Sequence, residues 1–362
     1  MIQFNITLLI VSILFISCLN KESYIETIDN RQVSSSNLDT FISKQIDSLN
    51  IAGLSIAIIR DNKIVYNKAF GYKNILTKEV VTNQTVFEAA SISKPVFAYF
   101  IMKQVEKGLL DLDKPLYEYF PIEEIENDER YKLITARMIL CHTSGLPNWR
   151  SQEPDNKLKI RFEPNSQYGY SGEGYQYLKD VIAHILKVDD IGLGEIFKKQ
   201  IAEPLGARHM DFVWKNEMQK FKAFGHRNGK PTDNEFQEEG NSGAFGASYS
   251  LQVNSTDYSK FLIEIMKSSS EQNNIVSQML TIQNNLPNEN GELHRSLAFP
   301  IKQVNNTIRY YHSGNNGDFR AYCHFYKEKG YGIVMLSNCD NFLSSKCAQN
   351  IVEFLGDKWF YV

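Results

Sequence analysis

The chain is built alike at its two ends and differently in between, and this restricts its fold more than any other feature of its 362 residues. Near the start, Leu38, Phe41, Ile42, Ile46 and Leu49 recur at helical spacing over 36–49. Apolar residues three and four apart share one helix face, so an amphipathic helix is predicted. Next comes "GLSIAIIRDNKIVYNKAFGY", 53–72. Two β-rich runs flank Asp61-Asn62 there, residue types suited to a tight hairpin turn. Near the end, 307–314, 319–328 and 330–338 read as three strands, and 345–359 as a closing helix. The middle, about 91–225, carries helical patterning instead, as in "KPVFAYFIMKQVEKGLL" and "YQYLKDVIAHILK". One sheet drawn from both termini satisfies this pattern. The predicted class is α/β in the α+β sense: an antiparallel sheet flanked by helices on both faces, with an inserted, mostly helical region.

Composition excludes several roles. Hydrophobic residues make up 43% and charged residues 22% of the chain, which suits a large core and not a disordered chain. Net charge is −3 with no run of Lys or Arg, so nucleic acid is not an expected partner. The opening "MIQFNITLLIVSILFISCLNKES" is uncharged over 6–17 and apolar there apart from Thr7, Ser12 and Ser17. That is short for a bilayer span and suits the apolar core of an export signal. Phe15-Ile16-Ser17-Cys18 is similar to a bacterial lipobox, in which Cys18 becomes the lipidated first residue, although no Lys or Arg precedes it. A plain cleaved signal with a chance cysteine is the alternative. The expected organisation is a signal peptide at 1–17, a polar tether at 18–35 and a folded domain at 36–362. Within that domain the sheet region is read as 36–87 plus about 240–362, and the helical region as about 88–239. The expected location is the periplasm or cell envelope, with membrane contact through lipid at Cys18. Cys141, Cys323, Cys339 and Cys347 form no CxxC pair, so no zinc or redox motif is indicated and buried thiols are expected.

The chemistry sits between the two ends. In "FEAASISKPVF", 87–97, Ser91 and Lys94 stand three apart at the head of an apolar helical run. Positions three apart share a helix face, so Lys94 can reach the Ser91 hydroxyl. Pro95 is tolerated because the first turn has no N–H partner to lose. A buried helix would desolvate the Lys94 ammonium, lower its pKa and make it a base. A serine cap before a surface lysine is the plain alternative. Downstream, "FEPNSQYGYSGEGYQYL", 162–178, sets Tyr170 and Ser171 before a helical pattern. A phenol beside an ammonium loses its proton more easily and can serve as base; packing is the ordinary role of such a tyrosine-rich run. In "YYHSGNNGDFRAY", 310–322, His312-Ser313-Gly314 ends a strand. Gly314 permits close backbone approach, and His312 can donate a hydrogen bond to an acyl group or carboxylate.

These three elements in this order resemble the serine β-lactamase and penicillin-binding-protein superfamily. The likeness is to its class C branch, which also holds DD-peptidases, D-aminopeptidases and family VIII esterases. It covers roughly 38–358 and extends to "KGLLDLDKPLYEYFP" at 107–121, "ITARMILCHTSGLP" at 134–147 and "STDYSKFL" at 255–262. It implies a β-lactamase/transpeptidase-like fold, with 36–362 as a serine hydrolase domain. It implies a small-molecule substrate, peptidoglycan-derived among the candidates, and no metal or organic cofactor. Ser91 matches the acylated nucleophile, Lys94 the SxxK lysine and Tyr170 the tyrosine of the YxN triad. His312 and Gly314 match the first and last positions of the KTG-like triad. The oxyanion hole would be the backbone N–H groups of Ser91 and Asn315. His142, in "CHTSGLP", is read as part of a structural turn.

Two departures stand out. The YxN triad reads Tyr170-Ser171-Gly172, without the asparagine that contacts a substrate amide. Glu173 beside the gap is expected to face solvent. His312 stands where many relatives have lysine, so a fixed positive charge is missing. Both suit an ester or D-amino-acid amide at least as well as a penicillin. β-Lactamase and D-alanyl-D-alanine carboxypeptidase activities stay open. So does a non-catalytic module that binds cell-wall fragments.

Overall fold

The computed structural model describes residues 22–232, 243–271, 274–283, 294–304 and 306–360. Cys18 and the segment read as an export signal lie outside them. The chain begins with β1 (Tyr24–Glu26), β2 (Gln32–Ser34), α1 (Ser35–Ser48), β3 (Gly53–Arg60), β4 (Lys63–Asn74), β5 (Glu79–Val80) and β6 (Phe87–Glu88). The middle supplies α2 (Ser93–Glu106), α3 (Ala136–Leu140), α4 (Gly172–Leu186), α5 (Asp190–Phe197), and the short strands β7 (His226–Arg227), β8 (Lys230–Pro231) and β9 (Gln252–Val253). The chain closes with α6 (Ser255–Ser268), α7 (Ile275–Leu280), β10 (His294–Arg295), β11 (Pro300–Val304), β12 (Thr307–Asn315), β13 (Arg320–Tyr326), β14 (Tyr331–Ser337) and α8 (Cys347–Phe354).

One eight-stranded antiparallel sheet runs β10-β11-β12-β13-β14-β3-β4-β5. The β14–β3 pair, Gly332↔Ile59 to Ser337↔Leu54, joins the two ends of the chain as their matching character predicts. Asp61 and Asn62 take positive φ, 51° and 56°, the conformation a two-residue hairpin turn requires. Period-two alternation divides the sheet's side chains between two cores. Ala321, Cys323, Phe325, Val334 and Leu336 face the helical region, packing with α2, α4 and α6. Tyr322, Tyr326, Ile333, Met335, Leu54, Ile56 and Ile58 face α1 and α8. The four cysteines from Cys141 on are buried free thiols.

The tether reading needs correction for its second half. Tyr24–Glu26 and Gln32–Ser34 pair as an antiparallel hairpin, Tyr24↔Ser34 to Glu26↔Gln32. Ile25, Ile28 and Val33 are buried with the α1/α8 layer. Arg31 Nη2 donates to the Phe354 carbonyl at the end of α8, 2.9 Å away. Three apolar side chains dispersed in a polar stretch are enough to seat the hairpin.

Candidate active site

Ser91 lies in a 3₁₀ turn, Ala90–Ile92, that leads directly into α2. Ala90, the residue before it, has φ of 50°, a left-handed conformation that a non-glycine residue adopts only under local constraint. The constraint is visible on both sides. Ala89 N–H donates to Leu251 O at 2.8 Å. Leu251 N–H donates to Ser93 Oγ at 3.1 Å, and Tyr258 OH to Ile92 O at 2.9 Å. Across from the turn, a Cβ at Gly314 would stand 2.5 Å from Ala89 O and 3.1 Å from Ala90 Cβ. Glycine there lets β12 press against the nucleophile turn. Tyr310 is the last β12 residue paired with β11, so residues 311–315 keep a strand neighbour, β13, on one side only. The Cβ direction of Gly314 also runs to Ala321 Cβ on β13, so the nucleophile turn lies on the face of the sheet that Ala321 presents to the helical region.

Pro95 is the third residue of α2 and displaces no helical hydrogen bond, and nearly the whole first half of α2 is buried. Lys94 is 1% exposed. Its Nζ stands 3.2 Å from Ser91 Oγ and donates to Ser248 O at 3.0 Å. It also sits 4.6 Å from the Tyr170 ring centroid. Burial lowers its pKa to about 7. The predicted desolvated lysine is therefore present, and roughly half of it carries a lone pair at neutral pH.

Tyr170 reaches the same site with a different proton affinity from the one expected. Burial pushes its phenol up to about 12, against a hydrogen bond with Ser91 and the charge of Arg295, both of which lower it. The nearby lysine does not offset burial, so the phenol stays protonated at neutral pH. His142 positions it. The His142 ring packs against Tyr170 at a tilt of 32° with centroids 4.4 Å apart, and its Nδ1 accepts from Ser171 N–H at 3.1 Å. Ser171 caps α4, accepting from Gly174 N–H at 2.8 Å and donating to Pro147 O at 2.8 Å.

His312 is buried and its ring centroid lies 6.5 Å from that of Tyr170. Nδ1 is 2.7 Å from Ser313 O, so the ring proton sits there and Nε2 offers a lone pair. Burial first, then the Lys94 charge, lower its pKa to about 3. The expected donor is thus an acceptor, and it is neutral across the physiological range.

Sequence reasoning missed several neighbours. Ser91, Lys94, Tyr170 and Asn315 line a cleft of about 480 Å³ together with Asn148, Trp149, Tyr249 and Asn316. Asn316 Nδ2 donates to Glu88 Oε2 at 3.0 Å, and Glu88 Oε1 pairs with buried Lys222 at 2.8 Å. This strut ties the β12–β13 turn to the strand that leads into Ser91. Arg295 is 2% exposed and stacks over Tyr168 at 4.0 Å. Among the described residues no carboxylate pairs with it, and its charge bears on Tyr170, His142 and His312. Glu173 faces neither solvent nor cleft; its carboxylate accepts from Arg150 N–H at 2.9 Å and pairs with the guanidinium at 3.0 Å. The only sequence signal for this wall was the missing asparagine at Gly172.

The cause of that gap is steric. A Cβ at Gly172 would meet the Trp149 indole at 2.8 Å and Asn148 O at 2.9 Å. Gly172→Asn should therefore not restore a β-lactamase-like site. Overpacking of this kind costs about 1–3 kcal/mol. The variant is expected to lose thermal stability and to show no gain in nitrocefin turnover; a gain would place the indole elsewhere.

The family model for Beta-lactamase matches residues 38–357. The chain belongs to the beta-lactamase family. This family is of the serine hydrolase type, and the large antiparallel sheet with flanking helices is its fold. Among relatives, this beta-lactamase family member is 24% identical to "Protein flp" of Staphylococcus aureus (strain MRSA252) over 342 residues, covering 89% of this chain and 66% of that protein. It thus spans under two thirds of that relative's length. Among solved structures, the octameric penicillin-binding protein homologue from Pyrococcus abyssi superposes with TM-score 0.73 at 24% identity, covering 89% of this chain and 78% of that one. The D-alanine carboxypeptidase AmpC from Burkholderia cenocepacia gives TM-score 0.71 at 19% identity, covering 88% and 99%. At these identities the structural likeness speaks for the fold.

Proposed function

We propose that this protein is a serine hydrolase that works through an acyl-enzyme on Ser91, acting on a small ester, amide or D-amino-acid substrate. The observation that carries this reading is the 3.2 Å contact between Ser91 Oγ and the Nζ of a buried lysine whose pKa is lowered to about 7. Neutral Lys94 takes the Ser91 proton as Oγ attacks the substrate carbonyl, and Ser248 O keeps the amine oriented. Tyr170, protonated and in contact with Ser91, gives its phenol proton to the leaving group and is reprotonated by the Lys94 ammonium, which returns the amine to its neutral form. The backbone N–H groups of Ser91 and Asn315 hold the oxyanion; one such donor is worth about 3 kcal/mol of barrier. Water then attacks the acyl carbon with the amine again as base, releasing the acid and restoring Ser91. Gly172 and the neutral His312 support an ester or simple amide over a lactam. The likeness to a D-alanine carboxypeptidase supports D-alanyl peptides as the alternative.

A fluorophosphonate probe tests this. The native protein should label stoichiometrically and Ser91→Ala not at all. If neither labels, a binding module for cell-wall fragments becomes the better reading.

A further inference from the structure

The two backbone donors read as the oxyanion site come from segments far apart in sequence, and one side-chain amide spans them. Ser91 follows β6, and Asn315 ends β12. Asn316 N–H donates to Phe319 O at 3.2 Å across the β12–β13 turn. N–H groups along a strand point alternately toward and away from a neighbour, so the Asn315 N–H points away from β13, to the side where β11 no longer pairs. Asn316 Nδ2 donates to Glu88 Oε2 at 3.0 Å and to Tyr249 O at 3.3 Å. Two oxygens on that edge fix the orientation of the amide. Glu88 is the third residue before Ser91, and Tyr249 follows Ser248, whose carbonyl holds the Lys94 amine at 3.0 Å. Asn316 thus joins the turn that carries Asn315, the approach to Ser91 and the loop that orients Lys94. Its carboxylate acceptor is fixed in turn. Glu88 and Lys222 are both buried and pair at 2.8 Å. Lys222 also donates at 2.9 Å to Oε1 of Gln252, the β9 residue that pairs with Glu88.

We infer that Asn316 and Glu88 are positioning residues, whose hydrogen bond sets the separation of the oxyanion donors at Ser91 and Asn315. The inference rests on the hydrolase reading of Ser91 and adds to it the element that keeps the oxyanion site in register. Such donors lower the barrier because they are in place before charge develops, and a donor on a turn that shifts loses that advantage. The close approach of Gly314 to Ala89 sets how near the two segments lie. Packing alone leaves them free to slide, and a directional bond to an ionised carboxylate stops the sliding.

Turnover of p-nitrophenyl pentanoate and inhibition by 1,1,1-trifluorohexan-2-one, which carries the same butyl chain, test this. Ser91 Oγ adds to the ketone carbon, the serine proton passes to Lys94, and the carbonyl oxygen becomes an oxyanion with no group leaving. Fluorophosphonate labelling carried to completion counts the folded sites in each variant. Asn316→Ala leaves the Glu88–Lys222 pair whole. It should lower kcat/KM per labelled site about tenfold and weaken ketone inhibition by the same factor, as a change confined to the tetrahedral state does. That is less than the loss of about 10²–10³-fold on removing a donor, since both N–H groups remain. Glu88→Gln turns an amide N–H toward Asn316 while its oxygen stays with Lys222, and should give a similar loss. The double variant should lose no more than the worse single one, because the same bond is removed. Losses that multiply in the double variant overturn the inference. So does lower turnover with ketone inhibition unchanged, or a folded single variant within twofold of native. If Glu88→Gln does not fold, the parallel between turnover and ketone inhibition in Asn316→Ala decides alone. A native protein that neither cleaves the ester nor takes the fluorophosphonate fells the hydrolase reading itself, an outcome distinct from labelled variants with native turnover.

Discussion

Acylation of Ser91 should rise with pH through about 7 and then level off, and replacement of Lys94 should remove both the limb and most of the rate. A base must be unprotonated to accept the serine proton. Burial holds the Lys94 pKa at about 7, so the competent fraction falls tenfold for each pH unit below that value and saturates above it. Among the described residues, the other titratable groups beside Ser91 are shifted out of this window. The Tyr170 phenol titrates at about 12 and the His312 imidazole at about 3. Lys94→Met retains the packed volume and removes the lone pair; Lys94→Arg retains a charge that does not deprotonate. Each is expected to lower the pre-steady-state acylation rate by about 10³-fold, within the range attributed to positioned general bases. Circular dichroism should report an intact fold for Lys94→Met, since the amine bonds Ser91 Oγ and Ser248 O and no carboxylate among the described residues is left without its partner. A profile flat between pH 6 and 8, or a methionine variant within tenfold of native, would remove Lys94 as the base.

Much of this site was legible because it depends on local spacing. Ser91 and Lys94 share a helix face by arithmetic, and the apolar run behind them predicts the burial that lowers the amine pKa. The sheet was legible because period-two alternation sorts Cys323 and Phe325 to one side and Tyr322 and Tyr326 to the other. The protonation states of Tyr170 and His312 were not legible, since they follow from total burial and from Ser313 O, which only the folded chain supplies. Nor was the Asn148–Trp149 wall. It stands more than twenty positions from Gly172 in sequence, and only folding sets the indole against that glycine. Arg295 was equally hidden: an isolated arginine in a sequence carries no sign that it will be buried against Tyr168. The hairpin at 24–34 was misread because polar composition averaged over the stretch concealed Ile25, Ile28 and Val33.

On the opposite face of the sheet, Asp357→Ala should cost about 3–5 kcal/mol of stability, because it strands a buried cation. Arg309 is fully buried. Its guanidinium bonds His324 Nδ1 at 2.8 Å and also contacts the Tyr322 hydroxyl and the Lys358 carbonyl. Its counter-ion is Asp357, 3.5 Å away. That carboxylate accepts from Tyr326 OH at 2.8 Å and lies 3.1 Å from His324 Nε2. Burial alone would raise the Asp357 carboxyl; the contact with His324 and the Arg309 charge hold it well below the usual range. The His324 imidazole is pushed down to about 4, by burial first and by Arg309 second. Both shifts act in the same direction on stability. As pH falls below about 6.5, His324 in the unfolded chain takes a proton that the folded chain refuses until about 4, so the unfolded state binds more protons and stability is lost. Across that window the loss amounts to about 3 kcal/mol from this imidazole. Below it, protonation of Asp357 in the unfolded state, where its carboxyl is not held low, removes more. His142 and His312, also buried and depressed, add to the same slope. The melting temperature should therefore hold near neutrality and fall steadily on acidification from about pH 6.5. His324→Gln should make that fall shallower, while Asp357→Ala should lower the whole curve. A melting temperature in Asp357→Ala within two degrees of native would mean that Arg309 is solvated, and that this layer does not bind the end of the chain to the sheet.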